Sequence, residues 1–351
     1  MESILQKAKL LDLPFVFYRK PNETKVYSWF QKSRELFITS ELNKSCFVMA
    51  PFVDGDKIVF YPDNCDITIH NLPISVDQSA NALKLHNPKV DVQQHIELVA
   101  SGVEAIKKGE FEKVVLSRKE KTAIDPKKLD YYYTRFLNKY PTAFVYWFYH
   151  PNVGMWMGAT PEQLLKAENK VINTVALAAT IADNGQSQEE IVWGDKEKDE
   201  QKIVTKFIRQ ALDKYCENIQ ITKPYTYKAG SLFHIKTDIQ ADLVNSNSLS
   251  DLVNELHPTP ALCGYPKRES QDFIIANEGY NREFYGGFLG EWKIRDGLDN
   301  FKTDLFVNLR CMKIDNNHAY LFLGGGINID SIPEKEYLET VNKSKTVKSI
   351  L

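Results

Sequence analysis

The segment PEKEYLETVNK (333–343) concentrates charge more than a solvated surface usually requires. Pro333 suits the first turn of a helix and no glycine follows, so Glu336 and Glu339 share a helical face with Lys343 one turn on. A second segment, KEKDEQ (196–201), repeats the spacing, with Glu197 and Glu200 at the start of a helix expected around 195–215. Taken singly, either glutamate pair reads most simply as a solvated face with local ion pairs. Brought together, the two faces would form a four-carboxylate cage for a hard divalent cation. Magnesium is the first candidate, because it takes oxygen ligands and keeps positions open for an anionic substrate. Such a cage needs a fold that packs segments far apart in sequence against one another.

Composition narrows the classes of function. The chain has 351 residues, 43% hydrophobic and 12% aromatic, ample material for a large core. Lysine and arginine number 44 against 46 aspartates and glutamates, and no long block of one sign occurs, so neither nucleic acid nor a membrane surface is an expected partner. The five cysteines, Cys46, Cys65, Cys216, Cys263 and Cys311, lack any CxxC or Cys/His zinc spacing, which fits free thiols in a reducing compartment. Lys7 and Lys9 interrupt the amphipathic N-terminus, and no later stretch is apolar for long enough to span a bilayer. A cytoplasmic protein is expected.

Residues 1–90 read as a short helix followed by short strands, FVFY (15–18), KVYSW (25–29), CFVM (46–49) and KIVFY (57–61). Apolar residues recur at helical spacing from Val92 to Ile106, and Gly109 is a stop signal. FEKVVLSR (111–118) is a strand whose apolar centre is entered from Lys113, a residue that either snorkels at an edge or is kept desolvated for chemistry. A helix over about 127–139 precedes the aromatic strand AFVYWFY (143–149) and its hairpin partner GMWMG (154–158). ATPE (159–162) places Glu162 at a turn, where a capping carboxylate is the simplest role. VINTVALAAT (171–180) is a strand running into small residues, and LFHIKTDIQADL (232–243) alternates as a strand in which His234 reads as a core or edge histidine. HPTPALCGYP (257–266), after a short helix ending near Leu256, is a loop stiffened by its prolines, and a helix near 270–277 follows. Further strands are expected at FLGEWKI (288–294), LFVNLRC (305–311) and AYLFL (319–323). The last ends at Gly324, Gly325 and Gly326, read as a turn whose N–H groups can serve as an anion nest. No HExxH, GxxxxGK[ST] or GxSxG pattern occurs.

The segments KVVLSR (113–118), ATPE (159–162), KEKDE (196–200), FHIKT (233–237), LHPTPALCGYP (256–266), NREFYGGFLGEW (281–292), NLRC (308–311), GGGI (324–327) and EYLETVNK (336–343) follow one another in the order found in the chorismate-utilising enzymes. The chain resembles that family, which includes isochorismate, salicylate, anthranilate and aminodeoxychorismate synthases. The resemblance implies an α+β fold of layered antiparallel sheets flanked by helices around a buried site. It implies a single domain over 1–351, with residues 1–90 as a divergent N-terminal part and 91–351 carrying the motifs. By the same resemblance Glu200 and Glu339 are direct Mg²⁺ ligands, with Glu197 and Glu336 acting through water or in support. Arg310 and Lys343, with Gly324, Gly325 and Gly326, would receive the enolpyruvyl carboxylate of chorismate. Ala261, Leu262, Tyr285 and Phe322 would shape an apolar wall, with Ala179, Thr180 and His257 also at the substrate. Lys113 resembles the base that activates water for attack at C2, and Glu162 the acid that protonates the departing C4 hydroxyl, a role needing burial to raise its pKa.

The same comparison favours one reaction within the family. Aminodeoxychorismate synthases carry a nucleophilic lysine where this chain has Ala178, and anthranilate synthases usually lack the base lysine that is present here as Lys113. Water is therefore the expected nucleophile, and the chain is similar to an isochorismate synthase of the menaquinone or siderophore type, a monomer needing no glutamine amidotransferase subunit. The alternatives are a salicylate synthase, which goes on to eliminate pyruvate, and a non-catalytic chorismate-binding protein. Two departures stand out: Ala179 replaces the usual glycine, and Gln201 the usual histidine after the metal glutamate.

Overall fold

Nothing polar interrupts AFVYWFY (143–149), and the strand it forms, Phe144–His150, is buried on both faces. In the computed structural model, which describes residues 12–71, 89–183, 185–229, 232–295 and 300–351, this strand belongs to a nine-stranded antiparallel sheet. From one edge to the other that sheet runs Gly264–Tyr265, Lys113–Ala123, His318–Ile327, Cys311–Asp315, Gly154–Thr160, Phe144–His150, Phe15–Arg19, Lys25–Gln31 and Cys65–Asn71. A second sheet, of ten strands, runs Cys216–Ile221, Leu232–Leu243, Val171–Ala182, Gln163–Glu168, Phe301–Val307, Phe288–Arg295, Cys46–Ala50, Lys57–Phe60 and Ile38–Thr39. Its tenth strand, Tyr225–Ala229, pairs with Leu232–Leu243. The α+β class and the antiparallel layering are those expected.

The inner faces of the two sheets share an aromatic core. Phe144 of the first stacks on Phe306 of the second at 4.4 Å between centroids, and Tyr18 lies 5.0 Å from Phe47. The outer face of the first sheet is covered by the helix Leu129–Lys139, whose Tyr133 and Phe136 pack with Phe17 and Trp147. Further along the same sheet the helix Lys89–Lys107 sets Val99, Val103 and Ile106 against Val114 and Leu116. Because both faces are buried, the central strands lack polar alternation, and each large apolar side chain contributes roughly 1.5–3 kcal/mol of burial. The helix Asp195–Tyr215 covers the second sheet with Val204, Phe207, Ile208 and Leu212.

Two of the short crossings by which the chain passes between the sheets matter most for function. Gly154–Thr160 lies in the first sheet and Gln163–Glu168 in the second, so Pro161 and Glu162 form one crossing. Phe301–Val307 lies in the second and Cys311–Asp315 in the first, so residues 308–310 form the other. The strand expected over 305–311 is thus broken in the middle. Arg310 takes a positive φ of 53°, and buried Asn308 anchors the break by donating to Phe284 O and accepting from Tyr146 Oη. The crossings are tied together, since Val307 N–H donates to Glu162 O at 3.0 Å and Ala159 N–H to Arg310 O at 3.2 Å.

Two other expectations are revised or fall elsewhere. The triple glycine does not turn: Gly324, Gly325 and Gly326 continue the strand His318–Ile327 and pair with Ser117, Leu116 and Val115. Their backbone is extended and laddered, so the nest geometry is not formed there. The short helix expected at the N-terminus falls within residues 1–11, outside the described residues.

Candidate active site

A cavity opens between the sheets beside the two crossings. Each crossing delivers one side chain to it, the Glu162 carboxyl and the Arg310 guanidinium. The strand Val171–Ala182 bulges there, its register with Leu232–Leu243 slipping between Ala178 and Ile181. Ala179 in the bulge has a φ of 61°. A left-handed alanine costs about 1 kcal/mol or more, and such strain is often found where a backbone is bent to meet a ligand. Ala179 and Thr180 both line the cavity, as do Ala261, Leu262, Tyr285 and Phe322, with Tyr285 and Phe322 stacked at 5.4 Å.

Glycine at 324 and 326 is explained by space. A Cβ at Gly324 would stand 2.5 Å from Tyr285 Oη, and one at Gly326 would stand 2.7 Å from Glu200 Oε1 and 3.2 Å from Lys113 Cε. At Gly325, on the opposite face of the strand, a Cβ would lie 3.8 Å from both Glu336 Oε2 and Glu339 Oε1. Gly324 and Gly326 line the cavity, whereas Gly325 borders the carboxylates.

Charge in the site is organised as three ammonium–carboxylate pairs. Lys113 Nζ lies 2.8 Å from Glu200 Oε1, Lys196 Nζ 2.6 Å from Glu336 Oε1 and Lys343 Nζ 2.5 Å from Glu339 Oε1. Lys343 also donates to Gly324 O at 3.0 Å, and Arg310 Nη1 to Thr346 Oγ1 at 3.0 Å. Burial would raise the Glu200 pKa, but the Lys113 charge and hydrogen bond outweigh it, with help from Lys343 and Lys196, and hold it below the usual carboxylate range. Glu162 behaves in the opposite sense. Buried at the crossing, it is pushed up to about 8, with the charges of Lys113, Arg310 and Lys343 only partly countering desolvation. At neutral pH it holds a proton.

Lys113 is 1% exposed, at the end of its strand, with its ammonium at the edge of the cavity. Its backbone is pinned by the Gly264–Tyr265 strand and by Ser270 Oγ, which donates to Lys113 O at 2.9 Å. His257 is placed differently. Its ring packs against Phe288, and Nε2 donates to Pro51 O at 2.9 Å, away from the cavity lining. Glu197 also turns away, its Oε2 lying 2.6 Å from where a Cβ at Gly194 would stand.

His234 reaches the cavity, although its place in an alternating strand marked it only as a core or edge residue. Its Nδ1 is 2.7 Å from Ala179 O and must donate there, which leaves Nε2 as a buried acceptor without a partner among the described residues. Burial first, then the Arg310 charge, push its pKa down to about 3, so the ring is neutral. It can accept a hydrogen bond from a substrate hydroxyl.

Among the described residues no three acidic, histidine or cysteine side chains converge closely enough to hold a metal ion. Each of Glu200, Glu336 and Glu339 is paired with a lysine. The donor chemistry nonetheless suits magnesium. Glu200 and Glu339 line the cavity, Glu336 and Glu339 stand together beside Gly325, and all offer hard oxygens.

Residues 64–351 match the profile of a family described as chorismate binding enzymes. A salicylate biosynthesis isochorismate synthase of Pseudomonas aeruginosa is 32% identical over 260 residues, 72% of this chain and 53% of the relative. An isochorismate synthase of Bacillus subtilis is 27% identical over 348 residues, 94% of this chain and 72% of the relative. The chain thus spans little more than half the length of the first of these. The solved menaquinone-specific isochorismate synthase of Escherichia coli superposes with a TM-score of 0.79 at 19% identity, covering 96% of this chain and 88% of that one, and has the same fold.

Proposed function

Because the chain belongs to the chorismate binding enzyme family, we propose that it is an isochorismate synthase, converting chorismate reversibly to isochorismate. The observation that carries this reading is a buried, proton-holding Glu162 lining the cavity between the sheets, with a buried Lys113 held 2.8 Å from Glu200 in the wall of the same cavity. Lys113, acting as the neutral amine, takes a proton from water as its oxygen attacks C2, the ring double bonds shift, and Glu162 gives its proton to the C4 hydroxyl, which leaves as water. Atoms balance, since one water enters and one departs. Arg310 and Lys343 bind the enolpyruvyl carboxylate, the guanidinium supplying a two-pronged fit, while Tyr285, Phe322, Ala261 and Leu262 hold the ring and exclude bulk water. Thr180 and the strained Ala179 backbone face the same space. Magnesium, held by Glu200 and Glu339 with Glu336 in support, would supply charge neutralisation and orientation of the ring carboxylate. No ammonia enters this chemistry, so the protein works as a single chain without an amidotransferase partner. Both sheets contribute to the cavity, which supports treating them as one domain.

The Pseudomonas aeruginosa relative takes part in salicylate biosynthesis, and the alternative reading for this chain is a salicylate synthase, in which pyruvate elimination follows. A lactate dehydrogenase-coupled assay separates the two, because an isochorismate synthase releases no pyruvate. The residue assignment is tested with Lys113→Ala. Turnover should fall roughly 10²–10⁴-fold while calorimetry still detects magnesium-dependent chorismate binding. Loss of binding in a folded variant would remove Lys113 from the base role.

A further inference from the structure

The three lysine–carboxylate pairs do not have equivalent surroundings. Lys113 and Lys343 are expected to meet water and substrate, but Lys196 has no such task, and it faces the carboxylates from the other side. A second cavity, larger than the first, is lined by Lys196, Lys113, Glu200 and Gly326, so it meets the catalytic cavity at Glu200 and Gly326. Lys196 lines the second cavity, its ammonium 2.6 Å from a Glu336 carboxylate that is only 3% exposed, and it also feels the charges of Glu339 and Glu200. Its own side chain is 30% exposed and has open space on the side of the second cavity, which Asp330 also lines.

We propose that Lys196 is an internal counter-cation of the carboxylate group, which neutralises Glu336 until a divalent cation arrives and then withdraws into the second cavity. This rests on the assignment of Glu200, Glu336 and Glu339 to a metal. A buried carboxylate without a counter-charge is costly, so a cation beside Glu336 stabilises its ionised form. The ammonium and the metal then compete for the same oxygens, and each weakens the binding of the other.

The test uses MgCl₂ alone, titrated calorimetrically into the full-length protein without chorismate. Lys196→Gln should bind magnesium about tenfold more tightly than the native chain, within the usual range for coupling between two competing groups. Its metal-free form should melt at a lower temperature and regain more on adding MgCl₂. Lys196→Arg, whose forked guanidinium grips a carboxylate more firmly, should bind magnesium more weakly than the native chain. Equal affinities, a reversed order, or no magnesium binding by any of the three proteins would overturn the proposal. If the native protein binds magnesium but leaves chorismate unchanged, the reaction assignment falls while the titration still decides the role of Lys196.

Discussion

Glu162 shows how much one position can change the chemistry of a carboxyl group. At a turn it would be an ordinary solvated acid, but the crossing between sheets buries it and lifts its pKa from the ordinary 4.5 to about 8. The folded chain therefore keeps a proton between those values that the unfolded chain releases. The stability linked to that proton is fully present below the ordinary carboxylate range and is lost as pH rises through about 8. Turnover should decline over the same alkaline limb as the acid ionises. Glu162→Gln should lose roughly 10²–10⁴-fold in turnover, yet its melting temperature should exceed the native value above pH 8, most clearly near pH 9. A variant that melts in parallel with the native protein at every pH would mean that Glu162 is ionised in the fold. In sequence, ATPE gave the residue but not its burial, because nothing local records that the chain changes sheets there. His234 is buried as a core histidine would be, but an alternating strand does not reveal that it also borders a cavity.

At the scale of elements, the strand His318–Ile327 sets the limits of the site. The three glycines read as a turn because glycine runs usually mark one, and only the pairing with Val115–Ser117 reveals a strand kept bare for its neighbours. A substitution series follows from the spaces beside them. Gly325→Ala should be nearly silent, its Cβ at ordinary contact distance from two carboxylates. Gly326→Ala should fold, because the Glu200 end can swing aside, but should lose ~10²-fold or more in turnover as Glu200 and Lys113 are displaced. Gly324→Ala meets the less yielding Tyr285 and should lose both activity and melting temperature. Steady-state rates and thermal melts of the three variants check that order. The strands that paired most simply were legible from their apolar runs, whereas LFVNLRC looked continuous because Leu305 to Cys311 is apolar enough for either sheet. The positive φ of Arg310 is a property of the crossing rather than of the sequence.

On the scale of the whole molecule, the site exists only where both sheets and two helices meet. Lys113 and the glycines come from the first sheet, Ala179 and Thr180 from the second, and Glu200 and Glu339 from the helices Asp195–Tyr215 and Pro333–Lys348. The Glu336, Glu339 and Lys343 face was legible from spacing alone, but the pairing of Glu200 with Lys113 and of Glu336 with Lys196 was not. Lys113 and Glu200 are distant in sequence and meet only through the order of strands, which periodicity does not encode. Glu339→Ala should abolish stimulation by magnesium while leaving the fold intact, and an unchanged metal response would remove Glu339 from the ligand set. The most direct measurement of the whole account is to incubate the purified protein with chorismate, with and without Mg²⁺, and identify the products by chromatography with mass detection. Isochorismate should accumulate to a stable mixture with chorismate only when Mg²⁺ is present. Salicylate accompanied by pyruvate, or chorismate left unchanged, would contradict it.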